Sequence, residues 1–277
     1  MKNPGMNSPQ VRDGTYLIDT HCHLDMEAYE KLDEIIASSI HAGISRIITV
    51  GIDVASSYRA AAIASRFRNI YAAVGVHPHS AAAVKNKSYR ELESLVDKYN
   101  GRIVGYGEIG LDYAKKYAPR DVQLKEFNHQ LNLAKNLNLP VIIHDREAHE
   151  DILGILKNNT PFPAGGVMHC FSGDTYLARQ IIDLGMYISI PGIITFPGTE
   201  TLQQVVREIS LEHLLLETDG PFLAPVPFRG KTNEPRYLLY TAKKIAEIKN
   251  ISLDEVARQT STNAETLFSL RTGGAVK

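Results

Sequence analysis

The sequence predicts a single α/β domain folded as a (β/α)8 TIM barrel, and three observations support this. Short apolar runs recur eight times along the 277-residue chain. These runs are continuous rather than alternating, as expected for parallel strands buried on both faces. Helical patterns separate them, and strand–helix alternation repeated over about 200 residues or more is typical of this barrel. A doubly wound open sheet is less well supported because no G-x-G-x-x-G motif follows a strand.

The predicted strands follow one another at regular intervals. They are residues 16–19, 46–51, 70–76, 102–110, 140–144, 165–170, 186–190 and 213–219. Helical stripes lie between them, around residues 32–40, 92–99, 127–134, 149–157, 174–184 and 201–209. A capping box, S-Y-R-E beginning at Ser88, marks the start of the second helix in this series. The chain after residue 232 is expected to supply the last helices.

Composition sets the broad class and the domain boundaries. Hydrophobic residues make up 44% of the chain and charged residues 22%, which is typical of globular domains. Residues 1–14 are polar with two prolines, so we expect a flexible leader there and one barrel domain in residues 15–277. The leader lacks the apolar core of a signal peptide, and the apolar runs are too short to span a bilayer. A cytoplasmic location without a membrane partner is therefore expected.

The overall charge restricts the mode of ligand binding. The 30 basic and 31 acidic residues nearly cancel, so no whole-molecule field attracts nucleic acid or an anionic membrane. Any polyanion must be bound by local groups or by a metal. The two cysteines, Cys22 and Cys170, are expected to be free thiols because no secretory signal is evident.

Ionisable side chains cluster at the carboxyl ends of the predicted strands. They are His21, His23, His77, His79, Glu108, His144, His169, Glu217 and Asp219. In a TIM barrel these ends open onto one face, so residues far apart in the sequence converge there. The other four histidines lie on helices or at a strand start and are expected to be ordinary surface or core residues.

Strand geometry separates the two cysteines from this cluster. Successive side chains point to opposite faces of a strand, so Cys22 should face the helices if His21 and His23 face the barrel axis. The same rule separates Cys170 from His169. Both cysteines are therefore predicted to be packing residues. A structural zinc site is also disfavoured because no C-x2-C motif is present.

The inward-facing set suits a metal centre. It comprises His21, His23, Glu108, His144, His169 and Asp219. Imidazole and carboxylate ligands suit zinc or manganese, and carboxylates also allow magnesium. Six ligands exceed the needs of one open catalytic zinc but fit two divalent ions about 3.5–4 Å apart. We therefore predict two ions bridged by Glu108. The first is held by His21, His23 and Asp219, and the second by His144 and His169.

The segments around these residues strongly resemble the signature segments of the TatD family of metal-dependent deoxyribonucleases. They are IDTHCHLD, GVHPH, GEIGLDY, PVIIHDREA, GGVMHCFSG and LLLETDGPFLAP, followed by RGKTNEP at 229–235 and TSTNAETLF at 260–268. The resemblance implies a TIM barrel of the metal-dependent hydrolase type with two divalent ions, acting in the cytoplasm on DNA, in several members as a 3′-to-5′ exonuclease. One departure is Gly220, where many relatives have serine, which puts the nearby loop shape in doubt.

The hydrolase architecture implied by the resemblance suggests the role of Asp219, and positions just past the strands suggest the roles of the other side chains. Asp219 is expected to act as both ligand and general base, with Glu217 as the alternative base. His77 is expected to donate to a phosphate oxygen or to protonate the leaving group, with a structural role equally open. Substrate contacts are expected from His79, Arg146 and Arg229. The aromatic rings of Tyr113 and Phe228, with nearby basic residues, are candidates for holding a single-stranded DNA end.

Two other functions are open at this point. The first is a metal-dependent hydrolase of an ester, lactone or amide, including an aminoacyl-tRNA deacylase. Related two-metal amidases often bridge their ions with a modified lysine on strand 4, whereas Glu108 occupies that position here, which favours the nuclease. The second is a partner-binding protein that retains the barrel, which the complete ligand set argues against. The oligomeric state is open, with a monomer favoured. Asp25 is expected either to brace His23 or to cap the following helix.

Overall fold

The computed structural model describes residues 9–270 and contains an eight-stranded, all-parallel sheet in the order β1 to β8. The strands are β1 (Leu17–Cys22), β2 (Ile44–Val50), β3 (Ile70–Val74), β4 (Ile103–Asp112), β5 (Val141–Arg146), β6 (Gly166–Met168), β7 (Tyr187–Ile190) and β8 (Leu214–Leu216). An isolated bridge between Cys22 and Gly220 joins the two edges of the sheet. The predicted (β/α)8 TIM barrel is confirmed.

Helices alternate with the strands, as predicted. They are α1 (Leu32–His41), α2 (Val54–Arg66), α3 (Asn86–Lys98), α4 (Arg120–Asn136), α5 (His149–Asn159), α6 (Thr175–Asp183), α7 (Glu200–Glu208), α8 (Leu238–Lys249) and α9 (Leu253–Phe268). The chain after residue 232 supplies the last two. No helix within residues 9–270 is both long and apolar enough to cross a bilayer.

Two apolar cores hold the barrel together. The larger one lies between the strands and the surrounding helices and includes Leu17 and Cys22. The smaller one fills the barrel interior and includes Ile18 and Val50. Side chains of α9, such as Phe268, belong to this inner core and close the barrel at the end where the strands begin. The opposite end, where the strands finish, is left for polar residues.

A register shift in β1 aims the histidines of the HCH segment at the barrel axis. Asp19 pairs with Ile47, but Cys22 pairs with Thr49, so three residues of β1 span two of β2. Ile18 is in the inner core, and unbroken alternation from it would turn Cys22 inward. The bulge reverses this pattern and leaves Cys22 in the outer core. The expected orientation of Cys22 is confirmed, but it depends on the bulge and not on regular strand alternation.

Two local predictions about helices are wrong. Ser88 does not begin a capping box, because α3 starts two residues earlier and the Ser88 hydroxyl instead accepts from the Lys85 backbone N–H at 3.2 Å. Ile40 is exposed although it belongs to the predicted apolar stripe of α1, where Ile36 and Ser39 are buried.

The predicted leader, residues 1–14, lies mostly outside the described residues. In its described part, Val11 packs against the outer core, and the Arg12 backbone N–H donates to Asp254 of α9 at 3.0 Å. Its flexibility stays a prediction.

Candidate metal centre

Glu108, near the end of β4, lies at the centre of the polar cluster, and its two carboxylate oxygens face different histidines. Its Oε2 is 3.4 Å from Nε2 of His21 and 3.8 Å from Nε2 of His23. Its Oε1 is 2.7 Å from Nδ1 of His144 and 2.8 Å from Nε2 of His169. The structure therefore brings four of the other five predicted ligands around the Glu108 carboxylate, divided into two sets.

The sixth predicted ligand, Asp219, completes the Oε2 side. Its Oδ1 lies 3.4 Å from Nε2 of His23 and 3.9 Å from Nε2 of His21. Nδ1 of His23 is 2.9 Å from the Val50 carbonyl oxygen, which accepts only if Nδ1 carries the proton. Once the ring is neutral, this hydrogen bond keeps the proton on Nδ1 and leaves Nε2 of His23 with a lone pair directed at the centre.

On the Oε1 side, a second carboxylate orients His144. Asp112 lies at the end of β4 and its Oδ2 is 3.3 Å from Nε2 of His144, while Nδ1 of the same ring points to Glu108. Nδ1 of His144 and Nε2 of His169 are only 3.3 Å apart. Two ring nitrogens this close to each other and to Glu108 form a compact ligand set.

The donor set fits divalent cations. Both ring nitrogens of His21, Nδ1 of His169 and Oε2 of Glu217 are buried without a hydrogen-bond partner within the described residues. Leaving such groups unpaired is costly, and a cation is the partner that lone pairs of imidazole and carboxylate share. Three sets of three side chains in the cluster could each hold an ion, because the ligand atoms within a set lie within 4.8 Å of one another. One of these sets is His21, His23 and Glu108.

The pKa values of the cluster reflect crowded carboxylates in a buried site. Burial would raise the pKa of Glu108, but the charge of His169 and the hydrogen bonds with His144 and His169 hold that pKa well below its usual value. Burial opposes protonation of His23, yet the Asp219 carboxylate raises the pKa of His23 to about 9. His169 behaves alike, since Glu108 and Glu217 outweigh burial and raise its pKa. Protons on histidines thus balance the carboxylates, a task that metal ions take over when they bind.

Comparison with known proteins identifies the family. A family model described as TatD related DNase matches residues 18–269. The chain belongs to the TatD-related DNase family. The resemblance seen in the sequence motifs is thereby confirmed.

Relatives of this TatD-family chain match over nearly their whole length. YabD of Bacillus subtilis (strain 168), an uncharacterized metal-dependent hydrolase, is 41% identical over 255 residues, covering 92% of this chain and 99% of YabD. YcfH of Escherichia coli (strain K12), described in the same words, is 35% identical over 261 residues, covering 92% and 96%. The crystal structure of YjjV, a TatD homolog from Escherichia coli K12, matches with a TM-score of 0.85 and 31% identity, covering 92% and 98%. These findings support the conclusion that the chain is a metal-dependent hydrolase.

In this TatD-family site, Glu217 lies deeper than Asp219. Its side chain is fully buried, whereas that of Asp219 is 14% exposed. Glu217 Oε1 accepts the backbone N–H of Cys170 at 2.6 Å and lies 3.5 Å from Nδ1 of His169. The ring of His169 stacks on that of His21 with centroids 4.0 Å apart. Glu217 is thus positioned to orient histidines from behind, and its burial argues against the alternative role as general base.

Cys170 does not follow the predicted orientation. The strand β6 ends at Met168, and Cys170 has a left-handed backbone with φ of 46°, so strand alternation no longer applies. Its side chain is only partly buried and belongs to neither core cluster. Burial raises the pKa of its thiol, and the carboxylates of Asp219 and Glu217 raise it further. The prediction that Cys170 is a packing residue is wrong, because its partly buried side chain belongs to neither of the two apolar cores.

His77 and His79, which follow β3, both join the site. Nε2 of His77 is 3.4 Å from Oε1 of Glu108, and burial lowers the pKa of His77 to about 3. Nδ1 of His77 accepts the backbone N–H of His79 at 3.1 Å, so the neutral ring carries its proton on Nε2. Nε2 of His79 lies 2.7 Å from Asp112. A neutral, buried His77 is suited to donating a hydrogen bond rather than to releasing a proton as an imidazolium.

The two arginines predicted to contact substrate are exposed. Arg146, at the end of β5, has no ion pair within residues 9–270, because the neighbouring Asp145 bonds His149 instead. Arg229 lies over the ring of Phe196, with its guanidinium carbon 4.6 Å from the ring centroid. Neither arginine has an ion pair in the described part of the chain, so both charges are available to an anion, and Arg229 is additionally held against an aromatic ring.

Two predicted DNA-holding rings have other partners. The hydroxyl of Tyr113 bonds Asp151 and accepts from Arg120. The ring of Phe228 stacks on Tyr237 with centroids 4.0 Å apart. The Arg120 guanidinium also lies over the Tyr113 ring, with its carbon 5.2 Å from the centroid, so each ring has a face already covered, which argues against both as open platforms for a base.

Asp25 has neither of its expected roles. Its carboxylate accepts from Nε and Nη2 of Arg59 on α2, at 3.1 and 2.9 Å, and α1 begins only at Leu32. It ties the segment after β1 to α2.

Sequence reasoning missed two buried carboxylates that organise the site. Asp112 bonds both His79 and His144, and its position four residues after Glu108 in the same strand was the available signal. Asp19 bridges the barrel edges, since its Oδ1 accepts the backbone N–H of Thr218 at 2.9 Å. Burial raises the pKa of Asp19 to about 8. Asp19 is the last residue of the predicted strand 16–19, and that strand-end position was the available signal.

Proposed function

We propose that this TatD-family chain is a two-metal-dependent hydrolase of DNA phosphodiester bonds that acts as a 3′-to-5′ exodeoxyribonuclease on single-stranded ends. The observation that carries the proposal is how the four predicted ligand histidines divide around Glu108: ring nitrogens of two of them face Oε2 and ring nitrogens of the other two face Oε1. A carboxylate with a separate ligand set at each oxygen is the arrangement expected of a bridge between two ions. The family description supports DNA as the substrate.

The proposed ions are Mg²⁺, Mn²⁺ or Zn²⁺, and each has its own ligands. His21, His23 and Asp219 would hold one, His144 and His169 the other, and Glu108 both. When bound, such ions activate water for attack and offset the negative charge of the phosphodiester.

Asp219 is the proposed general base because a water molecule can reach it. Its side chain is 14% exposed, whereas Glu108 is 4% exposed and Glu217 is fully buried. Burial would raise the pKa of Asp219, but His23 and the other imidazoles hold it below its usual value, so it is ionised at neutral pH. An ionised carboxylate at the open side of the centre can accept a proton from attacking water.

The proposed contacts to the phosphate come from the other side of the centre. The His77 ring is neutral and carries its one proton on Nε2, close to Glu108, so it can donate a hydrogen bond. The half-buried His79 lies beside it. The unpaired guanidinium of Arg146 can form a bidentate contact with phosphate oxygens. Arg229 would contact a more distant part of the strand.

Metal analysis combined with degradation of 5′-end-labelled single-stranded DNA tests the proposal. The wild-type protein should contain two ions per chain after loading and shorten the DNA from its 3′ end. Glu108→Gln should lose at least one ion and most activity, because an amide offers one lone-pair oxygen instead of two. Glu212→Gln is the matched control, since Glu212 is exposed just before β8, at the far end of the barrel.

Ester, lactone and aminoacyl-tRNA substrates belong in the same assay. Two bound ions with DNA untouched and one of these substrates cleaved would replace the nuclease by the second hydrolase function. A Glu108→Gln protein with two ions and full activity would refute the bridge. The cytoplasmic location and the monomeric state stay predictions.

A further inference from the structure

Two exposed aromatic rings lie against histidines of the metal centre. Tyr117, in the loop between β4 and α4, is 67% exposed, and Phe222, after β8, is 50% exposed. The Tyr117 ring contacts His79 edge-on, with centroids 4.6 Å apart. The Phe222 ring approaches His23 in the same way at 6.2 Å. Each ring therefore presents an exposed surface directly beside a histidine of the cluster.

The two rings lie on different sides of Glu108. Phe222 is next to His23, which faces Oε2 of Glu108. Tyr117 is next to His79, which shares the Asp112 carboxylate with His144 on the Oε1 side. A group bound at the centre therefore has one open ring on each flank.

The surroundings of Tyr117 suit a nucleic-acid strand. Lys115 and Lys116 precede it, are exposed, and have no ion pair within the described part of the chain. Together with Asp112 they line an open cavity of about 490 Å³. Ammonium groups beside an exposed ring provide what a single strand needs, namely charge for its phosphates and a face for its base.

We propose that Tyr117 and Phe222 are stacking platforms for the two nucleotides joined by the scissile phosphodiester, one ring for each base. This inference rests on the proposed nuclease function and specifies its substrate as a strand with unpaired, unstacked bases. Bases inside a duplex are stacked on their neighbours, so their faces are not available to the rings. Stacking on an aromatic ring is tolerant of sequence, so the two platforms favour single strands without selecting a base.

Alanine variants of the two rings test the proposal against single-stranded DNA. Tyr117→Ala and Phe222→Ala should each lower kcat/KM by about 5- to 100-fold. Tyr117→Trp and Phe222→Trp, which keep an aromatic face, should retain most activity. Tyr176→Ala is the control, because Tyr176 is 68% exposed at the start of α6 and has no ring contact with a histidine in the described structure. Equal losses in the control and the test variants would overturn the proposal.

Abasic DNA shows which nucleotide each ring holds. Replacing the terminal or the penultimate nucleotide with an abasic unit removes one base and keeps the phosphodiester. We expect Tyr117→Ala to lose its effect on one of these substrates and Phe222→Ala on the other. If both variants respond to the same position, or to neither, the flanking arrangement is wrong.

Failure of the inference and failure of the proposed function give different results. Wild-type protein that cleaves neither intact nor abasic DNA contradicts the nuclease function itself. Wild-type protein that cleaves both equally, with unaffected alanine variants, retains the nuclease function and refutes the stacking platforms.

Discussion

Gly220→Ser should destabilise the protein, and Tyr29→Phe should reverse most of the loss. A Cβ atom built on Gly220 would lie 2.3 Å from the hydroxyl oxygen of Tyr29 and 3.3 Å from both Sγ of Cys22 and the carbonyl oxygen of Asn233. Tyr29 is buried, and its hydroxyl donates to the Asn233 carbonyl at 2.7 Å. Any side chain at residue 220 therefore competes with that hydroxyl for the same space.

The expected magnitudes follow from these contacts. Overpacking a buried site costs about 1–3 kcal/mol, and a clash this close to a fixed phenol belongs at the upper end. Tyr29→Phe alone should cost about 1–1.5 kcal/mol, because the buried Asn233 carbonyl loses its donor. In the double variant the serine hydroxyl can fill the place of the phenol oxygen. Reversal of most of the Gly220→Ser loss corresponds to a coupling energy of about 3 kcal/mol, favourable to the pair, which leaves the double variant about 1–1.5 kcal/mol less stable than the wild type.

A double-mutant cycle by urea denaturation measures this coupling. At about 2–4 °C per kcal/mol for a domain of this size, Gly220→Ser alone should also lower Tm by several degrees. Gly154→Ser is the control, because Gly154 lies in α5 with nothing within 4 Å of the added Cβ. Additive losses from Gly220→Ser and Tyr29→Phe, or a single Gly220→Ser variant as stable as the wild type, would refute this account of the site.

Three further predictions concern metal, pH and packing. Cys22→Ala should leave the metal content, measured by elemental analysis, unchanged. It should lower the free energy of unfolding, measured by urea denaturation, by about 1–2 kcal/mol because the thiol packs in the outer core. Loss of metal with the fold retained would contradict the outward orientation of Cys22. Metal binding at pH 7 should release protons, measured by calorimetry in buffers of different ionisation enthalpy, because His23, with its pKa raised to about 9, is protonated before an ion binds. The affinity for the metal should accordingly rise with pH up to about 9. A metal affinity that does not change with pH would contradict the protonated state of His23. Glu265→Gln should lower the free energy of unfolding by about 1–3 kcal/mol, because it leaves the mostly buried guanidinium of Arg46 without its carboxylate partner. An unchanged urea midpoint would show that this ion pair does not contribute to stability.

The barrel and the ligand histidines were predictable because buried parallel strands are almost wholly apolar. Against that background, a histidine or carboxylate at a strand end such as His144 or Glu108 stands out in the sequence. The alternation of strands and helices fixes the order of those ends around the barrel. From this order alone, convergence of the six residues at one face follows.

The rest depended on backbone details that alternation does not carry. The bulge between Asp19 and Cys22 and the left-handed Cys170 are both departures from regular strand geometry. The bulge preserves the predicted orientation of Cys22, whereas the left-handed backbone of Cys170 removes the strand alternation on which its predicted packing rested. Asp112 was missed because its role is to orient His144, a contact that depends on side-chain direction rather than on spacing.

Closure of the barrel and construction of the metal centre use the same residues. The first and last strands, β1 and β8, are joined beyond their regular ends, where the Asp219 backbone N–H donates to the His21 carbonyl at 2.9 Å. The His23 N–H donates to the Gly220 carbonyl at 2.7 Å. Each proposed ligand on the Oε2 side thus also holds the seam. Because an ion binding His21, His23 and Asp219 would link both edges of the sheet, metal binding and barrel closure should stabilise each other.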